Sequence, residues 1–188
     1  MKKLWIILGV IVLLGFMAFS WYRQGYDTAI RLDQQVKSSW AQVENQLQRR
    51  NDLIPNLVNT VKGFAAQEKS VLTEVTRLRS QWGEAKTINE KIDTANALSG
   101  ALSRLLLVSE NYPQLKSDQN FLALQSQLEG TENRIAVERM RYNEAVQQFN
   151  SFRRSLVGQF FASSAGLKED AVYFKAAESA KQVPQVNF

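Results

Sequence analysis

The sequence predicts an all-α fold: an N-terminal transmembrane helix followed by an antiparallel, coiled-coil-like helical bundle with one long, kinked first helix. Three observations carry this expectation. Residues 4–22 read LWIILGVIVLLGFMAFSWY and hold no charge. Beyond them, apolar residues recur three or four apart over most of the chain, the spacing of one helix face. Only three prolines are present to interrupt such helices.

The apolar segment comes first. Its nineteen residues would span roughly 28 Å as a helix, close to the hydrocarbon thickness of a bilayer. Leu4 and Trp5 stand at one end and Trp21 and Tyr22 at the other, where interfacial anchors sit. We therefore take residues 1–25 as a retained single-pass anchor and residues 26–188 as a helical domain. A cleaved signal peptide is the competing reading, because Ala18-Phe19-Ser20 resembles a small-x-small processing site. Lys2 and Lys3 favour a cytoplasmic N-terminus with the domain exported, while Arg23, Arg31 and Lys37 pull the other way.

After the anchor the apolar frame reads Val36, Trp40, Val43, Leu47, Ile54, Leu57, Val61, Phe64, Val71, Val75, Leu78, Trp82. Its phase does not slip across Pro55, so one helix is predicted over about 26–82, kinked at Pro55 where a hydrogen bond to the Asn51 carbonyl is lost. The alternative starts a new helix there, with Asp52 as N-cap. Thr87-Ile-Asn-Glu90 has the form of a capping box and opens a second helix that stops before Tyr112-Pro113. A third is predicted from Ser117 or Asp118 to Leu156, with Phe121, Leu124, Leu128, Ile135, Tyr142, Phe149, Phe152 and Leu156 along its seam. GQFFASSAG (158–166) reads as a turn, Lys168–Lys181 as a short helix, and VPQVNF as extended.

Composition excludes much chemistry. The chain has no cysteine and no histidine, which removes disulfides, Cys/His zinc sites and every His-base or Cys-nucleophile mechanism. No glycine-rich phosphate loop is present, so no catalytic, cofactor-binding or metal-ligating residue is assigned and no small-molecule substrate is expected. Basic residues outnumber acidic ones three to none over 1–26 and eight to six over 27–82, and they balance at twelve each over 83–188. The excess sits at the membrane end, without the basic stripe that nucleic-acid binding needs.

Several stretches resemble the LemA family: the N-terminal membrane segment, WAQVENQLQRRNDLIPNLVNTVKGFA (40–65), ENYPQLKS (110–117), LEGTENRIAVERMRYNEAVQQFN (128–150) and YFKAAESAKQVPQVNF (173–188). The resemblance implies a bacterial, single-pass protein of the cytoplasmic (inner) membrane with a helical bundle domain and no established activity. It also implies an accessory role beside membrane proteases or assembly factors. The topology discussed for the family, a short outer N-terminus, opposes the orientation that Lys2 and Lys3 favour.

Two functions from different classes are carried forward. The first is a membrane-tethered scaffold or adaptor that self-associates and has no catalysis of its own. Three helices of the expected lengths leave Val36, Trp40, Val43, Leu47, Arg50 and Ile54 without intrachain cover, and such a stripe marks an interface between copies. The second is a carboxylate-based, metal-dependent enzyme using Glu68, Glu132 and Glu138. In the bland reading these glutamates and Arg50 form a polar seam layer, in which Arg50 sets register.

Overall fold

The computed structural model describes residues 2–175, which are mostly helical with no strand among them. Helix α1 spans Lys2–Phe64 with Pro55 inside it, α2 Lys69–Glu84 and α3 Ile88–Val108. A 3-10 turn at Ser109–Asn111 leads to α4 (Pro113–Lys116), followed by α5 (Gln119–Arg154) and α6 (Leu156–Ser164).

The boundaries follow local chemistry. The Thr87 hydroxyl accepts from the Glu90 N–H while the Glu90 carboxylate accepts from the Thr87 N–H, so the predicted capping box closes at the start of α3. The Asp118 carboxylate accepts from the Phe121 N–H at 2.9 Å and opens α5. Pro113 occupies the first turn of α4, where its missing N–H removes no helix bond. The Ser155 hydroxyl accepts from Gly158 N–H and starts α6.

The chain divides into two compact units. The first comprises the chain up to Trp40 together with Tyr142–Ala171. Its core residues include Ala29, Leu32, Val36 and Trp40 of α1, Tyr142, Ala145, Val146 and Phe149 of α5, and Phe161 and Ala162 of α6. Trp40 meets the Tyr142 ring at 5.3 Å and Trp21 meets Phe161 at 4.9 Å, so α5 and α6 return antiparallel along α1. Ahead of this core, α1 is long and apolar enough to cross a membrane, with none of its most apolar window buried.

The second unit comprises Ala41–Arg141 and the segment beginning at Val172. Its core joins Ile54, Leu57, Val61 and Ala65 of α1 to Leu72, Val75 and Leu78 of α2, Leu98 through Val108 of α3, and Phe121 and Leu128 of α5. The expected boundary between residues 25 and 26 falls inside α1 and inside the first unit.

Four expectations are corrected. The predicted helix over 26–82 breaks at residues 65–68, where the Ala65 carbonyl accepts from the Glu68 N–H at 3.1 Å. Around that turn Ala65 and Leu72 take the buried positions expected for Phe64 and Val71. GQFFASSAG is mostly helix rather than turn, because Ser155 caps it and Phe161 has a tertiary seat to fill. Residues 168–175 are not helical; the Asn150 side chain instead donates to the Ala171 carbonyl (2.9 Å) and accepts from its N–H (2.8 Å). The rest of the helix expected to Lys181, and the extended VPQVNF, lie outside the described residues.

The fourth correction concerns the self-association seam. Val36 and Trp40 are buried in the first unit, and Val43, Leu47, Arg50 and Ile54 in the second. The break at 65–68 adds a helix hairpin, which turns α5 around to run antiparallel to α1. The stripe is therefore covered within the chain.

Candidate functional site

The most concentrated polar arrangement in the second unit is built on Arg50. α1 carries it on the same face as Leu47 and Ile54, facing the core, where it is 1% exposed. Its Nη1 donates to the Ser99 hydroxyl at 2.7 Å and to the Glu132 carboxylate at 2.9 Å, and its Nη2 donates to the Ala95 carbonyl at 3.1 Å. The Ser99 hydroxyl in turn donates to the Ala95 carbonyl at 3.0 Å. Arg50 thus ties α1 to α3 and α5 through a planar fork that lysine could not reproduce.

Charge balance extends beyond the pair. Burial lowers the pKa of Arg139 below the usual guanidinium value, opposed by the neighbouring Glu132 and reinforced by Arg50. Arg139 remains a cation at neutral pH, and its guanidinium lies 4.2 Å from the centre of the Phe174 ring, within cation–π range. Glu132 itself is 43% exposed, so one end of the layer meets solvent. A surface groove of about 370 Å3 opens there between α3 and α5, lined among others by Ser99, Leu102, Leu128 and Glu132.

Of the expected polar layer, the structure joins only Arg50 and Glu132. Glu68 lies at the α1–α2 turn and accepts from the Tyr112 hydroxyl at 3.2 Å, while Glu138 pairs with Arg141 at 2.9 Å on α5. The three glutamates proposed as catalytic therefore hold three separate partners and do not form a cluster. Among the described residues, no group of three or more His, Cys, Asp or Glu is placed to hold a metal ion. The Ser99 hydroxyl is committed to Arg50 and Ala95. What the arrangement does chemically is neutralise a buried cation and bond α1 to α3 and α5.

Pro55 sits inside α1, which continues to Phe64. The side chain of Arg79 on α2 donates from Nε to the Asn51 carbonyl at 3.2 Å. The sequence reading missed Arg79 and Ser99. Arg79 had a usable signal, because a proline in a helix interior leaves the carbonyl four residues earlier without its donor.

The membrane-end residues are placed in the first unit. Leu4, Trp5, Trp21 and Tyr22 are all exposed. Trp21 and Tyr22 also make ring contacts with α6: Tyr22 lies 5.9 Å from Phe161 and 6.2 Å from Phe160.

Fold and site together define a class: an all-α protein with a span-length apolar N-terminal helix and a helical body locked by a buried arginine. The chain belongs to the LemA family, whose model matches residues 39–188. It is also similar to the magnetosome proteins MamQ 1 and MamQ 2 of Paramagnetospirillum magneticum, at 26% identity over 90% of this chain and 71% of each relative. The MamQ magnetosome protein of Magnetospirillum gryphiswaldense is 21% identical over 88% of this chain and 70% of its own length.

Proposed function

We propose that this protein is a non-catalytic scaffold or adaptor, anchored by residues 4–22 in the cytoplasmic membrane of a bacterium, that presents a helical surface to membrane-protein partners. The observation that carries the reading is the junction within the first unit. The helix bearing the apolar stretch continues without a break into the packed residues Ala29 to Trp40. A junction with no linker fixes the height and rotation of the attached surface above a bilayer. That constraint serves a protein that must meet neighbours in the same membrane, and it adds nothing to one that needs only retention.

The buried polar layer supports the same reading, since its groups are occupied in holding helices together. Self-association belongs to the proposal through surfaces other than the Val36–Ile54 stripe. Lys2 and Lys3 favour an exported domain, and family resemblance suggests membrane proteases or assembly factors as partners.

The test uses a photo-reactive amino acid placed, in separate variants, at exposed positions of the full chain in intact cells, followed by mild detergent extraction and mass measurement. A discrete adduct, to a second copy or to one membrane protein, supports a scaffold. A chain that stays monomeric and unlinked at every position overturns it. A cysteine added at the C-terminus and probed with an impermeant reagent reports the orientation.

A further inference from the structure

We propose that α6 is a second membrane contact: a short interfacial helix whose Leu156, Val157 and Phe160 enter the headgroup–acyl boundary beside the end of the N-terminal span. The inference rests on the anchoring role proposed for residues 4–22. It adds a lipid-binding surface formed by residues that are more than one hundred positions away in the sequence.

The first argument is exposure. Within α6, Gly158, Phe161 and Ala162 are buried, whereas Leu156 is 92%, Val157 53% and Phe160 55% exposed. Residues three and four apart on a helix are neighbours, so Phe160 stands beside both Val157 and Leu156 and the three form a continuous apolar face held away from the core. Leu156 is at the first turn directly after the Ser155 cap, a position where any polar residue would be accepted in water.

The second argument is rigidity. A Cβ on Gly158 would come within 2.0 Å of the Phe152 carbonyl oxygen, so α6 is seated hard against the end of α5. A Cβ on Gly25 would come within 2.2 Å of the Phe161 ring, so that ring lies directly on the α1 backbone. The chain beyond α6 is also tied down. Asp170 is gripped by Arg153 and Arg154, and Ala171 by Asn150. The apolar face therefore cannot simply roll inward.

The third argument names the occupant. Phe161 touches Trp21 and Tyr22, and Phe160 touches Tyr22. These two residues end the uncharged stretch, and Arg23 follows with a largely exposed side chain. An amphipathic Trp-Tyr pair at the end of a span occupies the headgroup level of a bilayer. α6 lies within one ring's width of that pair, so a bilayer that accepts residues 4–22 must meet α6 as well. Its apolar face then continues the lipid-facing surface of the span, as in interfacial helices with one apolar side.

The chain's lack of cysteine makes the test direct. Leu156→Cys, Leu13→Cys and Asn120→Cys are labelled separately with an environment-sensitive fluorophore in the full chain and reconstituted into phosphatidylcholine–phosphatidylglycerol vesicles. The label at Leu156 should be quenched more by nitroxides placed high on the lipid acyl chain than by nitroxides near the bilayer centre. Its quenching by aqueous iodide should be several-fold weaker than at Asn120. Iodide quenching at Leu156 equal to that at Asn120, with Leu13 quenched by deep nitroxides, overturns the α6 contact and leaves the anchor standing. Shielding of Leu156 from iodide and lipid alike would mean that protein covers the face, which also overturns it. A Leu13 label untouched by lipid nitroxides removes the anchor, and the α6 contact with it.

Discussion

The Arg79 Nε donates to the carbonyl oxygen of Asn51 at 3.2 Å, and this is the acceptor that Pro55 leaves without its helix partner. The imino nitrogen of Pro55 has no hydrogen to donate to the residue four positions earlier. A buried carbonyl in that state costs free energy unless another donor reaches it. Here a guanidinium from α2 does, and the helix passes through its proline without breaking.

The two positions should therefore be coupled. Arg79→Ala should destabilise the protein by about 1.5 kcal/mol, the range of a hydrogen bond from a charged donor. In a Pro55→Ala background the new N–H satisfies Asn51, and the cost of losing Arg79 should fall well below that. Urea unfolding of the four proteins in the double-mutant cycle measures the difference. Equal cost in both backgrounds would mean that Arg79 acts independently of the proline.

At the polar layer the two partners should differ in what their loss does. Arg50 is 2% exposed at its side chain and Glu132 43%. Glu132→Ala strands a charge in the core, a loss of about 3 kcal/mol or more by analogy with broken buried pairs. Arg50→Leu leaves Glu132 free to turn to water and should cost less. Arg50→Glu, which sets two carboxylates together, should be the worst of the three. Chemical denaturation ranks them; a ranking with Arg50→Leu at the bottom would mean that packing of the fork, not its charge, dominates.

Trp40 and Leu47 are buried within the chain, so changing them should act on folding rather than on assembly. Trp40→Ser and Leu47→Ser should each cost about 3 kcal/mol, the range for emptying a large core position. The loss should be independent of protein concentration. Thermal melts in detergent across a wide dilution series provide the check, and a penalty that vanishes in the dilute monomer would restore this stripe as an interface.

Acid should remove two anchoring contacts. The Glu90 carboxylate lies below its ordinary pKa of 4.5, chiefly because it accepts the Lys86 N–H and then that of Thr87. Asp170 lies below its ordinary 3.8, held there first by Arg154 and then by Arg153. Each folded carboxylate binds its proton more weakly than the unfolded one. Its stabilisation is therefore complete above the ordinary value and is lost as pH falls through the lowered one. Urea midpoints followed below pH 4.5 should decline less steeply in Glu90→Gln and in Asp170→Asn than in the parent. A parallel decline would remove that group as a contributor.

Local rules were enough for part of this protein. The uncharged nineteen-residue run, the Thr87–Glu90 box and the passage of α1 through Pro55 are legible because each depends on neighbours within a turn or two of helix. Most of the α5 seam was legible for the same reason: Phe121, Leu128, Ile135, Tyr142 and Phe149 are buried, and Leu124 and Phe152 partly so, whereas Leu156, expected at its end, opens α6 and is exposed. Arg50 was recognisable, with Glu68, as a charged residue in an apolar frame, although two glutamates on α5 were equally good partners by spacing.

Tertiary structure decided the rest. A turn of four residues at 65–68 leaves the apolar period almost unshifted, so periodicity could not reveal it, yet within the second unit it reverses the direction of the helices that follow. There it brings α5 back along α1 and sets Glu132 rather than Glu138 against Arg50, while in the first unit Tyr142 covers Trp40. α6 shows the same limit from the other side. Its glycine, serines and alanine read as a turn until Phe161 finds the bare backbone of Gly25, a contact set by packing between distant segments rather than by any local preference.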